Sequence, residues 1–444
     1  MRLLLVLFLV PYVLCDESNH TIPEQFLQDV FGNPASTVEN ALPPQSYLQM
    51  DLQKTEDVII NRQPIVVNDK FDWTLTKRVA VMSNENFLIS PLGLKLALAI
   101  LMEASSGATK SEISSVLGLD IDYHKVRDSF AELLTSLQTK SSDYILDIGS
   151  RIYVGSSIKP PQHFAAVAQR FYKTEITSLD FNKPELAAGS INKWVANITQ
   201  GRITNLVAPG DVEGVAALVL NTLFFKGTWQ HQFDPNETRH NDFYLKANAT
   251  KEIPFMTIKH KFFYTDSVKY NAKILRMPYK SGKFAMYVVV PNSLTGLPQI
   301  FDDVIGLRVE LLKMTEHLVN VKIPKFQFEY TSVLDGILKE LGIRQAFEDT
   351  ASFPGISRGQ TSASKMKISK VLQRSGIENN EIGSVAYSAT EITLENKFGG
   401  EEPTATLTAN KPFMFFIRDE TSQQLLFTGR VSDPSLFDGA FKLP

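Results

Sequence analysis

The sequence predicts an α+β protein built as one large body. Three observations point there. An almost wholly apolar helical stretch, Leu92 to Ala104, suits only a helix buried on every side. Apolar runs of strand length crowd the second half of the chain: Ala216 to Phe225, Phe284 to Val290, Phe413 to Ile417 and Leu425 to Thr428. Nothing in residues 71 to 444 has the composition of a linker, and there is no repeat or low-complexity block. The 444 residues, 43% hydrophobic and 21% charged, are enough for a sizeable core.

Arg2 followed by an apolar run from Leu3 to Leu14 reads as a secretory signal peptide, residues 1–15, cut near Cys15-Asp16. The run is too short to span a bilayer. Cys15 is the single cysteine, so a cut after it leaves no thiol for a disulfide, a nucleophile or a metal site. Loss of Arg2 leaves 44 basic against 48 acidic residues, a formal charge of −4 where the full chain has −3. Neither value attracts nucleic acid or an anionic membrane. Asn19, Asn197, Asn236 and Asn248 each begin a glycosylation sequon, which agrees with secretion. Residues 16–70 are polar and carry Pro23, Pro34, Pro43, Pro44 and Pro64, which reads as a flexible arm.

The body follows. Gly107 is placed to cap the buried helix. Ser111 to Leu117 forms a short amphipathic helix closed by Gly118. Tyr123 to Gln138 sets Val126, Phe130, Leu133, Leu134 and Leu137 at helical spacing. Phe164 to Tyr172 and Pro184 to Gln200 are the next helices. Ala216 to Phe225 reads as a strand buried on both faces, and Phe284 to Val290 as another, ended by Pro291. Leu318 to Phe328 alternates through Val319, Val321 and Ile323 to Pro324.

Glu381 to Lys397 reads as a strand in a neighbourhood that reads as a loop. One face is Ser384, Ala386, Ser388, Thr390, Ile392 and Leu394, small then apolar and uncharged. The other is Val385, Tyr387, Ala389, Glu391, Thr393 and Glu395. Lys397, the only basic residue between Glu381 and Asn410, ends the run before Phe398-Gly399-Gly400. Trypsin-like proteases cut after such a lysine, yet a buried strand holds no accessible bond. Two states of one segment reconcile the two readings.

Enzyme chemistry finds no support. None of the seven histidines stands three or four residues from another, so no helical metal pair exists. Gly-x-Ser-x-Gly, His-Glu-x-x-His, the phosphate loop and Gly-x-Gly-x-x-Gly are missing. A scattered triad is defined by geometry and leaves no such trace. Lys110, His124, Lys125, Arg127 and Lys140 are interleaved with Asp120, Asp122 and Asp128, which reads as a solvated helix face.

Several segments together resemble the serpin family. They are Asn86 to Pro91, Ile191 to Val195 with Thr199 to Ile203, Leu220 to Trp229, Lys411 to Ile417 and Gly429 to Val431. The resemblance spans about residues 71 to 435. It implies three β-sheets, eight or nine helices and an exposed reactive-centre loop, about 381–409. Glu381, Gly383, Ser384, Ala386, Ser388, Ala389 and Thr390 then form the hinge. Ile382 stands where the family usually has a charged residue and Tyr387 where it is usually small, on the face that would look outward. The reactive bond, fourteen residues past Gly383, falls between Lys397 and Phe398. Ser90, Asn221 and Gln373 match the shutter, with Gly93 where a second serine is usual and Gln373 where a histidine is usual. Trp229, Lys325 and Glu381 match the breach.

The implied function is suicide inhibition of a trypsin-like serine protease in a 1:1 covalent complex. The Lys397-Phe398-Gly399-Gly400 run, with Leu372-Gln373-Arg374, resembles insect haemolymph serpins that restrain the melanisation and Toll cascades. The partner would then be an extracellular protease of clip-domain type. The reading expects a secreted monomer with no cofactor, no metal, no nucleic acid and no membrane. A non-inhibitory serpin, a carrier or binding protein, is the alternative, and a secreted hydrolase the third.

Overall fold

Helix formation at the centre of the protein follows from its apolar run. In a computed structural model, which describes residues 69–120, 122–137, 141–199, 201, 204–357, 366–384 and 402–435, every residue of Pro91–Ala104 except Glu103 is buried. Ser90 starts this helix. Its hydroxyl accepts from Gly93 N at 3.2 Å, and Pro91 sits where its missing N–H costs nothing. All described residues lie in the unit Pro64–Pro444. The expected signal peptide and arm, residues 1–68 with Asn19 among them, and the segment from Val385 to Glu401 lie outside them. So do Ala386, Ser388, Ala389, Thr390, Lys397 and Phe398.

In chain order the first half holds α1 (Lys70–Met82), β1 (Phe87–Ile89), α2 (Pro91–Ala104), α3 (Gly107–Leu117), α4 (Tyr123–Leu137), β2 (Tyr144–Gly155), α5 (Gln162–Tyr172), β3 (Thr174–Leu179), α6 (Pro184–Ile198) and α7 (Pro209–Val212). Then come β4 (Ala217–Thr228), β5 (Arg239–Lys246), β6 (Ala249–Ser267), β7 (Ala272–Pro278), β8 (Phe284–Pro291), α8 (Leu297–Asp302), α9 (Leu307–Leu311), β9 (Thr315–Pro324), β10 (Phe326–Val333) and α10 (Asp335–Leu341). The chain closes with β11 (Lys370–Asn379), β12 (Gly383–Ser384), β13 (Ala405–Thr408), β14 (Phe413–Asp419) and β15 (Leu425–Val431).

The helix count agrees with the expected eight or nine: ten α-helices among the described residues, three of them six residues or shorter. Several expectations shift in detail. Lys70, expected in the arm, opens α1. Gly107 does not cap α2: Ser105 does, donating its N–H to Met102 O, and Gly107 begins α3. Gly118 caps α3 in the left-handed conformation, as its position predicts. Pro324 splits the expected Leu318–Phe328 strand into β9 and β10, because proline has no N–H for the ladder. Gly383, Ser384 and Ala405 to Thr408, all within the expected loop, are strand residues.

One sheet runs β10-β11-β4-β2-β3, with β12 on β4. A second hydrogen-bonded path runs β1-β15-β14-β8-β7-β6-β9-β13, with β5 on β6. The nineteen-residue β6 joins two sheets in that path: its first part pairs with β5, Phe255 to Tyr264 with β9, and Phe263 to Ser267 with β7. The main core packs around α2 and takes Ala217, Val219, Leu223 and Phe225 from one face of β4. The opposite face gives Leu218 and Leu220 to a second cluster, with Ile191, Trp194 and Val195 of α6 and Leu372 of β11.

Candidate functional site

Two adjacent strands of the six-stranded sheet are parallel where their other neighbours are antiparallel. β11 pairs with β4 from Lys370 opposite Leu218 to Gly376 opposite Phe224. Parallel ladders have slanted bonds and are slightly weaker per residue. Beyond Gly376 the strands part, and the chain turns back. Asn380 N donates to Gly383 O at 3.0 Å, and the Asn380 carboxamide oxygen accepts from Ile382 N and Gly383 N at 3.0 and 3.2 Å. The returning residues lie antiparallel on β4, Gly383 opposite Thr228 and Ser384 opposite Gly227. Only glycine fits at 383: a Cβ would lie 2.1 Å from Gly227 O, and φ is +154°.

Lower in the junction, Ser90, Asn221 and Gln373 meet in the core. Gln373 Nε2 donates to Ser90 O and to Asn221 Oδ1, each at 2.8 Å, and Gln373 Oε1 accepts from Ser90 N at 2.7 Å. Asn221 Nδ2 donates to Gly149 O at 3.2 Å. This one network ties β11, β4, β2 and the start of α2. All three side chains are buried, so each lost bond would leave an unsatisfied polar group. Gly93 is explained by the same contact, since a Cβ there would lie 2.1 Å from Asn221 Oδ1. A carboxamide carries no proton equilibrium, so this network does not titrate with histidine.

At the top of the sheet Trp229, Lys325 and Glu381 also come together. Lys325 Nζ lies 2.9 and 3.1 Å from the two Glu381 carboxylate oxygens, and Thr238 Oγ1 donates to one of them at 2.8 Å. Trp229 N donates to Ile382 O at 2.8 Å, Trp229 Nε1 to Asn380 O at 3.1 Å, and Phe233 N to Glu381 O at 3.0 Å. The indole stacks on Tyr279, centroids 4.5 Å apart at 10°. Trp229 is thus both a core aromatic and a holder of the hinge backbone. Burial alone would raise the Glu381 carboxyl. Hydrogen bonds from Lys325 and Thr238, with the Lys325 charge, outweigh it and hold the group below the ordinary glutamate value.

A pH dependence follows. A depressed folded value means that the Glu381 contribution is complete above the unfolded glutamate value and fades as pH falls through the folded one. Lys325 is partly solvated, so Lys325→Ala should cost only about 1 kcal/mol at pH 7. Urea unfolding of both forms should show that difference shrinking as the pH is lowered below about 4. A difference that stays constant with acid would contradict this pairing.

Thr238 and Asn380 were not singled out from sequence. Asn380 had a signal, an asparagine just before a turn ending in glycine; Thr238 had none. Ser384 is described through its backbone alone, and the reactive bond lies outside the described residues. Asn197, Asn236 and Asn248 are all exposed. The expected solvated face needs one correction: Arg127 forks onto the buried Glu103 carboxylate, with Nε at 3.0 and 3.1 Å from its oxygens, and Tyr172 donates to Glu103 at 2.8 Å. Among the described residues no three His, Cys, Asp or Glu side chains are placed to hold a metal ion, and no helix is long and apolar enough to cross a membrane.

Comparison with known proteins places these features in a family. Residues 66–434 match the model of the serpin, or serine protease inhibitor, family. The chain is 34% identical over 375 residues to Serine protease inhibitor 2 of Anopheles gambiae, covering 82% of this chain and 91% of that protein. It is 30% identical over 354 residues to Serine protease inhibitor 42Dd of Drosophila melanogaster, covering 79% and 92%. The solved structure of Serpin48, a highly specific serpin in the insect Tenebrio molitor, superposes with a TM-score of 0.75 at 28% identity, covering 86% of this chain and 99% of that one.

Proposed function

This chain belongs to the serpin family, and on that footing we propose that it is a secreted suicide inhibitor of trypsin-like serine proteases. The observation that carries the reading is the agreement of three registers at the sheet junction. Gly383 and Ser384 are already antiparallel on β4, Asn380 already closes a turn onto Gly383, and β11 stands parallel to β4 beside them. Continued downstream, the β12 register would pair Ala386 with Phe225, Ser388 with Leu223, Thr390 with Asn221 and Ile392 with Val219. The same residues fall opposite β11 without any slip, Ser388 at Ser375 and Thr390 at Gln373. Those β4 partners face the main core or its polar network, so the small, uncharged face of the segment would turn inward.

The chemistry then proceeds in order. The protease takes the Lys397 side chain into a pocket lined by an aspartate, and its serine attacks the Lys397 carbonyl. The acyl-enzyme forms, the peptide bond to Phe398 breaks, and the Phe398 amine leaves. The freed segment enters between β11 and β4. One parallel ladder is exchanged for two antiparallel ones, and new apolar surface is buried. Fourteen residues at strand rise carry the acylated protease roughly 46 Å. Its active site is distorted and the ester is not hydrolysed.

The exposed sequons and the insect relatives support an extracellular role restraining a protease cascade such as melanisation or Toll signalling, in haemolymph where the source is an insect. Its partner would be a clip-domain protease held 1:1. Incubation with trypsin should give a complex that survives a denaturing gel. Lys397→Ala removes the charge that fills the protease pocket and should cut its formation by about 100-fold or more, the scale of a lost buried ion pair. Undiminished complex would move the reactive bond elsewhere. Cleavage with no complex would favour a non-inhibitory binding protein.

A further inference from the structure

The outward face of the entering segment carries two carboxylates, Glu391 and Glu395, and insertion has to take the first of them beneath α6. Continued in the register begun at Gly383, Glu391 falls opposite Leu220 of β4 and Leu372 of β11. Both leucines belong to the outer cluster, covered by Trp194 and Val195 of α6 and by Leu206 and Val207 of the loop that returns from it. A lone carboxylate is expensive at such a level.

The return loop is a strap laid over the seam between β11 and β4. Asn192 of α6 grips it: Oδ1 accepts from Leu206 N and Val207 N at 2.8 and 3.0 Å, and Nδ2 donates to Val207 O at 2.8 Å. β11 holds the strap at two points. Arg374 Nη1 donates to Asn205 O at 3.1 Å, and Lys370 Nζ lies 3.4 Å from Asp211 Oδ1. The rest of the Arg374 guanidinium is anchored elsewhere. Nε donates to a Glu329 carboxylate oxygen at 2.9 Å, Nη2 pairs with the same oxygen, and Nη1 also reaches Thr331 Oγ1 at 3.2 Å. The Glu329 side chain is only 3% exposed, so parting from Arg374 would strand a buried charge. The cation therefore stays on the outward face of β11 whether or not the strap is closed.

On the inhibitory reading of the segment, we propose that Arg374 and Lys370 are positioning residues for insertion: they fasten the strap across the seam in the intact protein and receive the Glu391 carboxylate when the segment enters. The two stand two residues either side of Leu372, on its own face of the strand. Diagonal neighbours in a sheet lie roughly 7–8 Å apart, within reach of long side chains. Glu391 would thus arrive between two cations. Room for it opens only as Asn205 O and Asp211 let go, and the groups they release are the ones that neutralise the arriving charge. Arg151 of β2 lies one strand further off and is paired with Glu175. Glu395 falls opposite Ala216, before β4 begins, and lies past both cations.

The test is thermal unfolding of the intact chain and of the chain nicked after Lys397, with the charge of Lys370 reversed. In the intact protein Lys370→Glu meets Asp211 and should lower the midpoint by about 2 °C. Adding Asp211→Asn should restore that loss, and adding Glu391→Gln should not. In the nicked protein Lys370→Glu meets Glu391 and should lower the midpoint by about 5 °C. There the rescue changes partner: Glu391→Gln should restore most of the loss, and Asp211→Asn should not. Glu391→Gln alone should leave the intact midpoint unchanged. Rescue of both forms by Asp211→Asn, or of neither form by Glu391→Gln, overturns the exchange while leaving insertion intact. A nicked wild type that gains no stability would sink the inhibitory reading itself, and the exchange with it.

Discussion

Ser384→Arg is expected to turn the inhibitor into a substrate. Trypsin should still cut the chain after Lys397, but the gel-stable complex should fall by about 100-fold or more, since an unpaired charge would have to be buried during insertion. The position explains the size of the effect. Ser384 stands opposite Gly227 on β4. The space beside Gly227 on the core side is already filled: a Cβ there would lie 2.7 Å from the Tyr279 ring and 2.8 Å from Phe225. An arginine entering at this level meets packed aromatics. The reaction is a race between insertion and deacylation, and slowing insertion hands the race to hydrolysis. Efficient complex formation by this variant would show that the hinge does not enter the sheet in the register begun at Gly383.

The second large effect lies far from the hinge. Lys95 of α2 and Asp72 of α1 are both fully buried, with Lys95 Nζ 2.8 Å from Asp72 Oδ1 and 3.0 Å from Oδ2. Gln424 completes the site, accepting from Lys95 at 3.2 Å and donating to Asp72 at 2.7 Å. Burial pushes the Asp72 carboxyl up, opposed by Lys95 and by the Gln424 hydrogen bond. Lys95→Met leaves that carboxylate without its cation and should destabilise the protein by about 3–5 kcal/mol, the range for breaking a buried pair. Adding Asp72→Asn, which keeps a partner for Gln424 and removes the charge, should restore most of the loss. Urea unfolding of the three forms reads this directly. A single variant as stable as wild type would mean that water reaches the site.

These two regions differ in how far sequence reveals them. The α2 run was legible because burial on every side leaves almost only apolar residues, and Lys95 is the one charged residue buried within it. The partner Asp72 was not legible: it sits in α1, a helix of mixed composition that was missed, and the pairing is a contact between helices rather than a pattern. β4 and β8 were read correctly because strands buried on both faces are continuous in their hydrophobicity. β6 was missed because most of its length alternates with lysines and threonines at the surface. Arg127 was misplaced because a cation among aspartates looks solvated until α4 is set against α2, where Glu103 waits.

The candidate site divides in the same way. The alternation of Ser384 to Leu394 is visible in the sequence. That Gly383, Asn380 and the parallel junction share one register is visible only once β4 and β11 lie side by side, from parts of the chain about 150 residues apart. The meeting of Ser90, Asn221 and Gln373 came from family resemblance. The structure adds why Gly93 accompanies them: the Asn221 carboxamide occupies the place of its side chain.

The central claim, that the sheet is built to receive its own loop between β11 and β4, is tested most directly by the thermal unfolding of the chain nicked after Lys397. If the freed segment enters in the register begun at Gly383, the nicked protein gains a full strand, and its midpoint should rise by about 10 °C or more over the intact form. A nicked protein that melts at the same temperature as the intact one, or below it, would contradict the account.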